Sequence, residues 1–224
     1  LAPTYKNTSI PFDIKSLEVT SGLLTSYVYC VFQDSKQRIW VGSYNGLSMY
    51  DGQNFTHYTK EQGLASNFVW RISEDSKGNI LIGTRGDGTK GGLSVYDGLS
   101  FTNMSEKEGL SGHFITAIYP DKMGGYWLGT YKGAMYYDGS TYTLYTTHEG
   151  LPHNMIHAIT GDSEGNIYFG TQGGLAIYNG NSFRYLRHKD GLKGNSVRAL
   201  LLDSKSNLWI GTQQGLHYYK DDIH

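Results

Sequence analysis

The apolar residues of this chain fall in short runs of three to six, broken by turn-forming residues, and the whole pattern repeats about every 41 residues. A Gly-Leu pair opens each unit at Gly22, Gly63, Gly109, Gly150 and Gly191, in steps of 41, 46, 41 and 41. Each unit then carries an aspartate (Asp34, Asp75, Asp121, Asp162, Asp203). Six residues on stands Trp40, Leu81, Trp127, Tyr168 or Trp209, and two further a glycine: Gly42, Gly83, Gly129, Gly170 or Gly211. A third apolar run ends on Tyr50, Tyr96, Tyr137, Tyr178 or Tyr219. Within one unit the pattern predicts four strands, as over 68–73, 80–82, 93–96 and 101–104, here called a to d. Turns such as Asp75-Ser76-Lys77-Gly78-Asn79 and Asp97-Gly98 separate them. No stretch shows apolar spacing of 3.6, so helices are absent or trivial.

Four strands in about 40 residues, repeated head to tail, define a propeller blade. The expected fold is all-β: a single five-bladed β-propeller domain over 1–224, built from four-stranded blades. The fifth unit stops after strand c. Residues 11–18 carry Ile14 and Leu17 at the places that Phe55 and Tyr58 occupy before the second unit. They are therefore expected to supply the missing strand of the last blade and close the ring, which would remove its open edges. The rival is a cut from a larger propeller, with that strand belonging to another blade.

Composition narrows the function. The net charge of −1 comes with scattered Lys and Arg, without the basic stripe that nucleic-acid backbones require. No apolar run approaches the ~20 residues of a membrane span, and no signal peptide is visible. The one cysteine, Cys30, excludes an internal disulfide framework and reads as packing within strand a.

The runs Asp75-Ser76-Lys77-Gly78-Asn79-Ile80-Leu81-Ile82-Gly83-Thr84 and Asn207-Leu208-Trp209-Ile210-Gly211-Thr212-Gln213-Gln214-Gly215-Leu216 resemble the two-component regulator propeller repeat. So does the link Tyr96-Asp97-Gly98…Phe101-Thr102…Glu108-Gly109-Leu110. The resemblance extends from Ile14 to Tyr219. It implies a sensor-type propeller of bacterial hybrid histidine kinases, periplasmic or extracellular, responding to polysaccharide fragments. Those sensors carry further repeats, a β-sandwich domain and a membrane helix, none of which is visible here.

Candidate chemistry lies where the units differ. One position of strand a reads Tyr29, Trp70, Thr116, His157 and Arg198, while the residue just before it and the residue two after it stay aliphatic in every unit. Such a ring around the central channel would combine aromatic faces with polar donors, as sugar and small-acid pockets do. The links from d to a and from b to c form a second variable set, expected on one face. It includes Tyr44, Arg85, His113, Tyr131 and His153, with amides such as Asn45, Asn67, Asn154, Gln172 and Asn195. Amides, imidazoles and phenols suit hydroxyl-rich ligands.

The repeated aspartates read instead as turn residues accepting backbone N–H groups. The second unit's insertion, Arg85-Gly86-Asp87-Gly88-Thr89-Lys90-Gly91-Gly92, contains GxGxxG but lies between hairpin strands, where phosphate cradling lacks its helix. It also contains Arg-Gly-Asp, and a flexible hairpin tip accounts for both. His153 and His157 stand four apart on a loop-to-strand junction and do not form a metal pair. No carboxylate pair falls in the variable ring, which disfavours glycoside hydrolysis.

No catalytic residues, metal or cofactor are assigned. The leading expectation is a recognition or sensor propeller for a carbohydrate or other small polar ligand, with a protein partner also conceivable. Two alternatives stay open: a polysaccharide-active lyase or hydrolase using His157 with Tyr29 or Arg198, and a protein-docking platform.

Overall fold

The computed structural model describes residues 22–86, 91–104, 110 and 114–219. Its five antiparallel sheets succeed one another as propeller blades, each a meander with the first strand at one edge and the last at the other. Blade 1 holds β1 (Val28–Gln33), β2 (Ile39–Ser43), β3 (Leu47–Tyr50) and β4 (Phe55–Tyr58). Blade 2 holds β5 (Phe68–Glu74), β6 (Ile80–Arg85), β7 (Leu93–Tyr96) and β8 (Phe101–Met104). Blade 3 holds β9 (Ala117–Pro120), β10 (Tyr126–Gly129), β11 (Ala134–Tyr137) and β12 (Tyr142–Tyr145). Blade 4 holds β13 (Ile156–Gly161), β14 (Ile167–Thr171), β15 (Gly174–Tyr178) and β16 (Phe183–Leu186). Blade 5 has three described strands, β17 (Val197–Leu202), β18 (Leu208–Thr212) and β19 (Gly215–Tyr219). The closing strand expected over 11–18 lies outside the described residues. Two 3-10 turns, Lys60–Gln62 and His188–Asp190, are the helical elements among them.

The hydrophobic core lies between the blades. Trp40 and Leu47 of blade 1 bury against Val69, Ile80 and Ile82 of blade 2. Leu81 and Leu93 do the same against Ile115 and Leu128, and two further clusters join blades 3 to 4 and 4 to 5. The invariant strand-b glycine sets the approach at every joint. A Cβ on Gly42 would stand 2.7 Å from Val69 Cγ1, one on Gly83 2.8 Å from Ile115 Cγ2, and one on Gly170 2.8 Å from Val197 Cγ1. Real Cβ atoms do not come so close. The β-branched residue that opens strand a therefore docks into a notch that only glycine leaves open.

The outer faces of blade 5 and blade 1 are different. Val69, Ile115, Ile156 and Val197 are fully buried, but their counterpart Val28 is 42% exposed. Leu47, Leu93, Ala134 and Leu175 are fully buried, whereas Leu216 is 67% exposed. The three atoms nearest a Cβ placed on Gly211 all belong to Ala199 of its own blade, the closest at 3.3 Å.

Candidate functional site

The variable position of strand a has a backbone cause. The β1–β2 register shifts between Val28 and Cys30, and the same irregularity recurs between Val69 and Arg71, Ile156 and Ala158, and Val197 and Ala199. Tyr29, Trp70, His157 and Arg198 are thus the extra residues of four β-bulges. A bulged residue is unpaired in the ladder, and its side chain is re-aimed away from the regular alternation. That releases these positions from the packing that keeps their neighbours aliphatic.

In blades 1 to 3 the bulge residues join a continuous aromatic strip. The Tyr29 ring lies 5.0 Å from Trp70 and 4.8 Å from Phe68. Trp70 meets Phe114 edge-on at 5.3 Å and Phe68 at 5.9 Å. Tyr44 closes one end against Phe68 at 5.0 Å, and Tyr131 the other against Phe114 at 5.0 Å. Arg85 stands between Phe68 and Phe114, its guanidinium carbon 5.5 and 5.4 Å from their ring centres. Beside this strip opens a cavity of about 610 Å³ between the blade 1 and blade 2 links, lined by Tyr44, Asn45, Lys60, Asn67, Phe68 and Arg85 among others. Five of the expected residues, Tyr29, Trp70, Tyr44, Arg85 and Tyr131, therefore belong to one cluster.

The remaining expected residues separate from it. Thr116 is buried, and its hydroxyl donates to the Ile156 carbonyl at 2.6 Å. It joins blade 3 to blade 4. His157 Nε2 and Gln172 Oε1 lie 2.9 Å apart, and Ser196 Oγ donates to the same amide oxygen at 3.1 Å. This polar group links blades 4 and 5. Arg198 is exposed, and His153 Nδ1 accepts the Met155 N–H at 2.9 Å. His113 lies outside the described residues, as do residues 87–90 of the insertion. The loop amides Asn67, Asn154 and Asn195 accept backbone N–H groups of Lys60, Thr147 and His188, so they hold their own links in shape.

Phe68 and Phe114 went unnoticed in the sequence, although they carry the strip. Their column reads Tyr27, Phe68, Phe114, Met155 and Ser196, a change from aromatic to polar as informative as that of the bulge. Arg71 was missed too: its column is otherwise Cys30, Ala117, Ala158 and Ala199. Cys30 fits the packing role expected of it. Its Sγ faces Gly42, and burial pushes the thiol up to about 11, so it stays neutral at neutral pH.

A second cleft, about 480 Å³, lies between blades 3 and 4 at the a–b turns and includes Trp127, Tyr136, Asp121 and Asp162. Both carboxylates are engaged by their own turns and by Tyr136 and Tyr168. Among the described residues no three His, Cys, Asp or Glu side chains gather as metal ligands, and no helix is long and apolar enough to cross a membrane.

The sequence profile of the two component regulator propeller family matches residues 22–45, 63–86, 109–132, 150–173 and 191–214. Among solved structures, the extracellular domain assigned to the hybrid two component system BT3049 of B. thetaiotaomicron is 28% identical with a TM-score of 0.81. The match covers 98% of this chain and 31% of that one. The extracellular domain assigned to the one component system BT4673 of the same organism is 22% identical, TM-score 0.76, covering 92% and 31%. This chain thus spans about a third of the length of either solved domain. Virginiamycin B lyase of Staphylococcus aureus shares the fold at 12% identity, TM-score 0.68, over 90% of this chain and 73% of the lyase. No curated protein sequence matches the chain.

Proposed function

This chain belongs to the two component regulator propeller family, and from that membership and its aromatic strip we propose that it is a ligand-recognition segment of an extracytoplasmic sensor. The ligand is a small polar molecule of the sugar type, bound on the link face of blades 1 to 3. The observation that carries this reading is the strip itself: six aromatic rings from three blades, in mutual contact beside an open cavity. Packing needs no such strip, because the blades bury their cores elsewhere. Aromatic faces rimmed by amide and hydroxyl groups hold a sugar ring by its apolar face and its hydroxyls. The extracytoplasmic placement is supported by the two extracellular domains that the chain resembles.

The test is a glycan-panel binding screen of the intact chain, repeated with Trp70→Ala. Trp70 is bulged and half-buried, so its loss should leave the propeller folded while weakening binding by about 1–2 kcal/mol, a usual hot-spot loss. Binding that survives Trp70→Ala unchanged would place the site elsewhere.

A further inference from the structure

We propose that Arg71 and Arg85 make the strip an anion site, so that the ligand presents a carboxylate or sulfate carried on a sugar ring. This rests on the recognition reading above and adds the ligand's charge to it. Blade 2 alone has arginine at both positions. Where Arg71 stands, the other blades have Cys30, Ala117, Ala158 and Ala199, and where Arg85 stands they have Tyr44, Tyr131, Gln172 and Gln213. Both guanidinium groups border the same rings. Arg71 lies 5.5 Å from the Trp70 centre, and Arg85 is held between Phe68 and Phe114, each of which contacts Trp70.

Neither cation meets a carboxylate among the described residues, where the ion pair is Arg38 with Asp34. Arg71 Nη1 donates to the Trp70 carbonyl at 2.9 Å, which leaves most of its fork of donors unengaged. The guanidinium is half-buried, and burial pulls its pKa below the ordinary value. A partly desolvated cation with no counter-ion is costly to keep, and a bound anion relieves that cost. The neighbouring cavity points the same way: Lys60 and Arg85 are on its wall, and no Asp or Glu is. A planar guanidinium fixed on aromatic faces is pre-organised for a flat or tetrahedral oxyanion. The adjoining rings supply a platform for the body that carries it.

Calorimetric titration of the intact chain with D-glucuronate, D-glucose and inorganic sulfate at low salt tests this. Glucuronate should bind at least about tenfold tighter than either other probe, and about 0.2 M salt should weaken it several-fold. Arg85→Gln, at an exposed position, should cost about tenfold in glucuronate affinity with an unchanged melting temperature, and Arg71→Gln should do likewise. Glucose binding as tightly as glucuronate, both lost in Trp70→Ala, would overturn the anion site and leave the recognition reading standing. Sulfate binding as tightly as glucuronate would overturn the sugar-borne part. Glucuronate binding untouched by both arginine variants, or no glucuronate binding at all, would overturn the proposal. The Trp70-dependent panel decides the broader reading independently.

Discussion

Asp162 opens the turn between β13 and β14, where its Oδ1 accepts the N–H groups of Glu164 and Asn166, both at 2.9 Å. Its Oδ2 accepts Asn166 Nδ2 and the Tyr168 hydroxyl. Asp34 and Asp203 repeat this with the indoles of Trp40 and Trp209. In these three units one carboxylate thus fixes both the turn and the large strand-b side chain six residues on. For Asp34 burial works to raise the pKa, but the Trp40 and Arg38 bonds outweigh it and the net shift is downward. Asp162 behaves alike, with Asn166 and Tyr168 outweighing burial, and the Trp209 and Asn207 bonds hold Asp203 down. A carboxyl with a lower pKa when folded binds fewer protons than the unfolded chain does near its ordinary value of about 3.9. Its contribution is therefore present above that pH and is lost as pH falls below it. Melting temperatures measured from pH 7 to 3 should hold down to about 4.5 and then fall steeply. A flat profile to pH 3 would show that these turns do not hold the blades.

At the scale of elements, the joint between blades is a β-branched side chain set against a strand glycine. Gly170→Ala would drive a Cβ to 2.8 Å from Val197 Cγ1 and 3.1 Å from the Val197 carbonyl. The backbone oxygen has no alternative position, so overpacking should cost about 1–3 kcal/mol in chemical denaturation. A variant as stable as the parent would mean that the joint is looser than its geometry. This joint was readable from the chain: Gly42, Gly83, Gly129, Gly170 and Gly211 fall at one place in every unit, as do the aliphatic residues that oppose them. The blades were legible for the same reason, because each demand of the fold is written five times. The site was legible only in part. Tyr29 and Trp70 stood out because their column varies between units while its neighbours stay aliphatic, but a β-bulge is a matter of register between strands. Spacing along one strand does not show whether the odd residue faces the channel or, like Thr116, a neighbouring carbonyl. Phe68 and Phe114 precede the regular part of strand a, where apolar character reads as ordinary core.

At the scale of the whole molecule, the blade 5 face that carries Leu201, Trp209, Leu216 and Tyr218 is the counterpart of four faces that are covered by the next blade. Val28 and Val31 of blade 1 are likewise exposed. Exposed apolar surface of this extent marks a place of association or of aggregation. Paired substitutions distinguish a bare face from a covered one. Leu175 and Leu216 hold the same register against their strand-b glycines, Gly170 and Gly211, yet the first is buried and the second exposed. Leu175→Ala should cost about 2–5 kcal/mol, the usual range for a buried leucine. Leu216→Ala should stay within about 0.5 kcal/mol, as surface changes do, and should reduce binding of an apolar fluorescent dye. If Leu216→Ala instead costs as much as Leu175→Ala, blade 5 is covered in solution. Because a second copy would be diluted away while an intramolecular cover would not, repeating the measurement over a hundredfold range of concentration then tells the two apart. A concentration-independent cost is the result that ring closure through residues 11–18 and blade 1 requires.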